Sequence, residues 1–124
     1  MKKYRILMAL MGLEIGGAET HVVELSKELK KQGYDIIVAS NGGVYEKELE
    51  AVGIRHYRVP LNQRNIFKMI RSYFILKRIS KKEKVDIVHS HARIPSFVCG
   101  ILKKRMPKDF TFVTSAHWVF YTGM

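Results

Sequence analysis

Tyr4-Arg5-Ile6-Leu7-Met8-Ala9-Leu10 and Asp35-Ile36-Ile37-Val38-Ala39-Ser40 are short, mostly apolar runs without the in-and-out alternation of a half-exposed strand. Runs of this length and character read as strands buried on both faces. Between them Ala18, Val22, Leu25 and Leu29 recur at helical spacing, with Glu24, Lys27, Glu28, Lys30 and Lys31 opposite, and Gly33 closes the segment. Strand, amphipathic helix and strand in that order predict a right-handed crossover between parallel neighbours.

Outward from that unit the alternation continues. Asn41-Gly42-Gly43 reads as a turn, Val44 to Val52 as a short helix ended by Gly53, and Ile54 to Val59 as a strand near the sheet edge, stopped by Pro60. A longer helix is expected from Asn65 to Lys82, with Ile66, Met69, Ile70, Tyr73, Leu76 and Ile79 as its apolar stripe. Asp86 to Ser90 reads as strand four. Ile94 to Arg105 reads as a helix with Pro95 in its first turn, and Phe110 to Ala116 as strand five. The expected fold class is α/β, a doubly wound parallel sheet of Rossmann-like type, as a single domain over residues 1–124.

A chain of 124 residues fits one such domain, and its 47% hydrophobic content argues against disorder. Lys and Arg outnumber Asp and Glu by 22 to 11, a net charge of +11 that suits a polyanionic partner such as lipid headgroups, nucleic acid or a phosphorylated ligand. No nucleic-acid reading motif is present, so no nucleic acid is expected as a partner. Cys99 is the lone cysteine, which removes a disulfide framework or a multi-cysteine zinc site and makes the cytoplasm the default location. Lys2, Lys3 and Arg5 precede an apolar run from Ile6 to Leu13, but Gly12 and Glu14 interrupt it and a helix follows at once, unlike a signal peptide. No segment has the roughly 18 apolar residues of a membrane span, so a soluble or peripheral protein is expected.

In an open parallel sheet, ligands bind beyond the carboxyl ends of the strands. Three polar loops fall there: Gly12 to His21, His89-Ser90-His91-Ala92-Arg93, and Thr114-Ser115-Ala116-His117. Gly16 and Gly17 precede a helix whose first N–H groups are unpaired. They form either an anion cradle or simply a tight turn. Neither Gly-x-Gly-x-x-Gly nor the P-loop pattern occurs, which argues against dinucleotide enzymes and ordinary NTPases. His89 and His91, two apart, could hold a substrate hydroxyl or a metal. Two histidines with no Cys or carboxylate pair nearby supply too few ligands, so no metal site is expected. His117 is placed either to accept a hydrogen bond from an attacking hydroxyl or to cap a loop. On the helix from Asn65, the cations Lys68, Arg71, Lys77 and Arg78 accompany Phe67, Tyr73 and Phe74. That face either meets anionic lipid or packs on the sheet with its charges solvated.

Taken together, strand one followed by Gly16-Gly17-Ala18-Glu19-Thr20-His21, the segment Asp86-Ile87-Val88-His89-Ser90-His91, and Thr114-Ser115-Ala116-His117 resemble the N-terminal, acceptor-side domain of family 4 glycosyltransferases with the GT-B fold. The resemblance spans nearly the whole chain. It implies retaining transfer of a sugar from a nucleotide-sugar donor, the co-substrate, to a glycan or lipid-linked acceptor, with no cofactor and no essential metal. It further implies that Gly16, Gly17, Glu19 and Thr20 meet the donor phosphates or the acceptor, that His91 and Arg93 face the acceptor, and that His117 is the catalytic residue lining the transfer centre. The donor-binding C-terminal domain of that family is absent, so the chain is expected to be a truncated piece or half of a split enzyme, inactive alone. Its expected associations are a separate C-terminal half or a second copy, and the inner face of the cell membrane. The alternative from another class is a noncatalytic basic module that docks on anionic membrane or on a partner protein.

Overall fold

Leu7, Met8, Ala9, Ile37, Val38 and Ala39 are buried because their strands occupy the middle of a parallel sheet covered on both faces. The computed structural model describes residues 4–12, 17–61 and 65–114. Within them the order is β1 (Arg5–Ala9), α1 (Gly17–Lys31), β2 (Asp35–Ser40), α2 (Glu46–Ala51), β3 (Arg55–Arg58), α3 (Ile66–Glu83), β4 (Ile87–Ser90), α4 (Arg93–Arg105) and β5 (Thr111–Thr114). The five strands pair in parallel as β3-β2-β1-β4-β5. The chain runs outward from β1 through β2 to β3, then returns to the other side of β1 for β4 and β5. The crevice between the carboxyl ends of β1 and β4 is therefore the switch point. β3 is an edge strand, as its weak alternation predicts.

Two helical layers fill the two faces. Val22 and Val23 of α1 and Leu49 of α2 pack with Ile6, Met8, Ile36 and Val38 on one face. Leu76 and Ile79 of α3 and Val98, Cys99 and Leu102 of α4 pack with Leu7, Ala9, Ile37 and Val88 on the other. Each strand presents alternate side chains to the two layers, which is why continuous apolar runs are needed. Cys99 is fully buried, and burial pushes its thiol up to about 12.

The apolar stripe expected on α3 divides in the structure. Leu76 and Ile79 are buried and Met69 and Tyr73 pack against them, but Ile66 and Ile70 face outward. The arc against the sheet is narrower than the stripe, and the small Ser72 and Ser80 take part of it. Asn65 caps this helix, its side-chain oxygen accepting from the N–H groups of Phe67 at 2.8 Å and Lys68 at 3.3 Å.

The amino ends of the strands carry a charge network. The Glu83 carboxylate accepts from the Tyr57 hydroxyl and lies 2.7 Å from Arg55, while Arg5 pairs with Asp35 at 2.6 Å. Asp86 accepts the backbone N–H of Arg5 at 2.8 Å. Burial alone would raise the Glu83 carboxyl, but the Tyr57 hydrogen bond and the charges of Arg55 and Arg5 hold it below its ordinary value.

Candidate functional site

At the carboxyl rim, parallel pairing persists one step beyond the strands. The N–H of His91 donates to the Ala9 carbonyl at 2.8 Å and the N–H of Asn41 to the Met11 carbonyl at 3.0 Å. The first bond fixes the chain leaving β4 beside the chain leaving β1, at the switch point, and the second fixes the chain leaving β2 on its other side. The rings of His89 and His91 lie 4.1 Å apart, centroid to centroid, tilted by 39°. His21, exposed on α1, is close enough for its charge to act on both. Burial is the main cause lowering each imidazole below its usual value. His21 adds to it for His89, and His89 and then His21 add to it for His91, which falls to about 3. At neutral pH His91 is an uncharged ring that can accept or donate a hydrogen bond.

His91 is 8% exposed, and its Nε2 is buried without a hydrogen-bond partner among the described residues. Three helical serine hydroxyls, Ser26, Ser72 and Ser80, share that condition. A serine can rotate toward a carbonyl of its own helix, whereas an imidazole nitrogen on a short rigid stem cannot. Burying a polar atom unpaired costs about 1–3 kcal/mol.

The backbone beside it is strained. Ala92, which opens α4, has φ 75° and ψ 173°, a region that essentially only glycine occupies and that costs of order 1–3 kcal/mol. A chain of hydroxyls braces this turn: Ser90 Oγ to Ser96 Oγ at 2.8 Å, and Ser96 Oγ to Thr114 Oγ1 at 2.7 Å. It ties the end of β4, the first turn of α4 and the end of β5 together.

Of the residues singled out in the sequence, His91 joins His89 at the switch point, and Arg93 begins α4 beside them. Gly17 opens α1, and Glu19 and Thr20 lie in its first turn. The Thr20 hydroxyl is engaged by the Tyr45 hydroxyl at 2.8 Å. Gly16 and His117 lie outside the described residues. Among the described residues no group of three or more His, Cys, Asp and Glu side chains is placed to hold a metal ion. Sequence reasoning did not select His21, the serine–threonine hydroxyl chain or the backbone of Ala92. The register of Ser90 opposite Thr114 brings those two hydroxyls together, and residue order alone carries no such signal.

A second polar cluster closes the β2–β3 side of the same rim. His56 Nε2 and Ser40 Oγ are 2.7 Å apart, and Ser40 Oγ also accepts the Gly42 N–H at 3.0 Å. Glu46 accepts from the Gly43 N–H at 3.0 Å and from Arg58 at 3.1 Å. Gly42 has φ +96°, and a Cβ there would collide with Glu46 and Arg58. Because Ser40 is wholly buried and its hydroxyl is committed to this turn, the serine–histidine pair braces the turn rather than forming a nucleophile.

The family model for Glycosyltransferase Family 4 matches residues 15–124. A phosphatidylinositol N-acetylglucosaminyltransferase protein of Homo sapiens is 30% identical over 112 residues, 86% of this chain and 23% of that protein. The UDP-N-acetylglucosamine--N-acetylmuramyl-(pentapeptide) pyrophosphoryl-undecaprenol N-acetylglucosamine transferase of Clostridium botulinum (strain 657 / Type Ba4) is 36% identical over 106 residues, 72% of this chain and 30% of that protein. The crystal structure of a glycosyltransferase from Rickettsia africae ESF-5 superposes with a TM-score of 0.79 at 30% identity, covering 98% of this chain and 32% of that one. The chain thus spans less than a third of the length of each of these proteins.

Proposed function

We propose, since this chain belongs to glycosyltransferase family 4, that it forms the acceptor-side half of a retaining glycosyltransferase. The observation that supports the reading is the buried Nε2 of His91 at the switch point, without a hydrogen-bond partner among the described residues and flanked by His89 and by the strained opening of α4. A sugar or headgroup hydroxyl is the complement such an atom lacks. In this reading His91 and Arg93 hold the acceptor. The start of α1, with Gly16, Gly17, Glu19 and Thr20, faces the donor phosphates, where unpaired N–H groups stabilise the charge that builds as the nucleoside diphosphate departs. His117 lines the transfer centre. The acceptor oxygen bonds to the anomeric carbon as the bond to the diphosphate breaks, its proton passes to the departing diphosphate, and no essential metal takes part.

Names of the two relatives describe N-acetylglucosaminyl transfer, to phosphatidylinositol in one and to an N-acetylmuramyl-(pentapeptide) pyrophosphoryl-undecaprenol in the other. UDP-N-acetylglucosamine is accordingly the first donor to test, and a lipid-linked acceptor at the cytoplasmic face of a membrane is the acceptor class we infer. One wall of a cleft cannot align two substrates, and alignment is worth about 7–11 kcal/mol of barrier. The test is label transfer from UDP-N-acetylglucosamine to phosphatidylinositol and to N-acetylmuramyl-(pentapeptide) pyrophosphoryl-undecaprenol. It compares the 124-residue chain alone with the chain joined to the donor-binding half of a family 4 relative. Transfer is expected only from the joined protein, and is lost in its His91→Leu variant. Normal turnover by the chain alone, or full activity of that variant, would overturn the proposal.

A further inference from the structure

Ser96, in the first turn of α4, grips both chain neighbours of His91. Its hydroxyl meets the Ser90 hydroxyl at 2.8 Å, and its backbone N–H donates to the Ala92 carbonyl at 3.3 Å. A third point comes from the next strand, where the same Ser96 hydroxyl meets Thr114 Oγ1 at 2.7 Å. The N–H of His91 is itself committed to the Ala9 carbonyl. The backbone that carries the His91 ring is thus held from β1, from α4 and, through Ser96 and Thr114, from β5.

These hydroxyls stand where apolar side chains would pack as well. Ser90 and Thr114 are register partners at the last paired step of β4 and β5, two residues beyond Val88 and Phe112, which face the core under α3 and α4. Side chains two apart on a strand share a face, so Ser90 and Thr114 continue that layer beneath the start of α4, and Ser90 is wholly buried. For stability alone the exchange gains little, because a hydrogen bond between neutral groups only replaces those that water offers. What it adds is direction and distance. A serine hydroxyl carries one proton, so Ser96 donates to one neighbour and accepts from the other, and its Oγ is pinned between two points. The turn requires such pinning, since the strain at Ala92 is comparable with what those two bonds supply. Without them the turn relaxes, and the His91 ring moves with it.

We propose that Ser96 is a positioning residue for acceptor binding: by holding Ser90, Ala92 and Thr114 together it sets where the His91 ring stands at the switch point. The inference rests on the reading that His91 holds the acceptor, and Ser96 acts through that ring rather than on the substrate. Its effect falls on the acceptor side of the cleft, because among the described residues no group of α1, where the donor phosphates are placed, takes part in the clamp.

Two readouts test it. In the protein joined to a donor-binding half, with whichever of the two lipid acceptors it uses, Ser96→Ala is expected to lower kcat/KM for the acceptor by roughly tenfold or more, while KM for UDP-N-acetylglucosamine stays within about twofold. Ser96→Thr keeps the hydroxyl and is expected to restore most of the loss. Thr114→Val cuts one of the two side-chain bonds and should fall between Ser96→Ala and the parent, with Thr114→Ser matching the parent. In the 124-residue chain alone, NMR follows the His91 imidazole, recognised by its absence from His91→Leu. Burial, with the charges of His89 and His21 adding to it, keeps that ring neutral through about pH 5. A relaxed turn admits water, so Ser96→Ala is expected to raise its midpoint toward the ordinary histidine value, and Ser96→Thr to leave it in place. Far-UV circular dichroism checks that each variant folds, and Thr114→Val carries both readouts should Ser96→Ala fail to fold. An unmoved His91 midpoint, a Ser96→Thr protein no better than Ser96→Ala, or equal losses toward donor and acceptor would overturn the proposal. A joined parent protein that transfers nothing would sink the functional reading instead, and the His91 midpoint then decides the clamp by itself.

Discussion

At the amino ends of the strands Glu83 is 5% exposed, and its carboxylate meets the Tyr57 hydroxyl and the guanidinium groups of Arg55 and Arg5. At the carboxyl ends His91 is 8% exposed, and its Nε2 meets nothing among the described residues. The penalty for burying a polar group applies at both rims, yet among the described residues only the first offsets it. The same contrast runs through the backbone. Lys84, which ends α3 at the amino rim, adopts an ordinary left-handed turn at φ 53° and ψ 55°, whereas Ala92 at the other rim sits where only glycine is comfortable. One rim is built to close the fold, and the other keeps a free valence.

The largest effect that would break this contrast is at Glu83. Replacing it with alanine strands Arg55 and the Tyr57 hydroxyl, and is expected to lower unfolding stability by about 3 kcal/mol in urea titration, the lower part of the range for breaking a buried pair because Arg55 is half exposed. With its folded pKa held below the ordinary value, Glu83 stabilises the protein above the usual carboxylate range and loses that contribution as pH falls through the folded pKa. A loss under about 1 kcal/mol would mean that the amino rim is no better satisfied than the other.

Second in size is the acid sensitivity of the carboxyl rim. His91 stays neutral in the folded protein down to about 3, so below the ordinary histidine range only the unfolded chain takes up that proton. Stability is full above about pH 6.5 and falls as pH drops, by roughly 2 kcal/mol from this residue at pH 5. His91→Leu is expected to remove that share of the slope while leaving stability at pH 7.5 unchanged or slightly higher, since it deletes an unpaired buried atom. An unchanged slope in the variant would show that His91 does not titrate as a buried group.

The smallest effect sharpens the backbone side of the contrast. Ala92→Gly relieves the strained opening of α4 and is expected to raise the stability by about 1 kcal/mol, after the added freedom of the unfolded chain is set against it. A destabilised Ala92→Gly protein would place the strain elsewhere. Thermal unfolding of the two forms at matched concentration reads the difference.

Most of the architecture was legible because strands buried on both faces require continuous apolar sequence, as at Ile6 to Leu10 and Ile36 to Ala39. The short strand Arg55–Arg58 was recognisable as an edge because only one neighbour shields it. The stripe on α3 misled for a reason of geometry. Residues at three- and four-residue spacing cover a wider arc than one sheet can bury, so Ile66 and Ile70 face solvent although the pattern counted them inward. At the site, His89 and His91 could be picked out because they end a strand. The approach of His21, the hydroxyls of Ser90, Ser96 and Thr114, and the conformation of Ala92 depend on which strands are neighbours and how they align, which no local window contains.

Cys99 offers a consequence of a different kind. It is the single thiol of the chain, sealed between α4 and the sheet, and with its proton held to about 12 it presents almost no thiolate to solvent. An alkylating reagent can reach it only when α4 lifts away. The rate of labelling is therefore a clock for that opening, readable by mass without any probe being introduced.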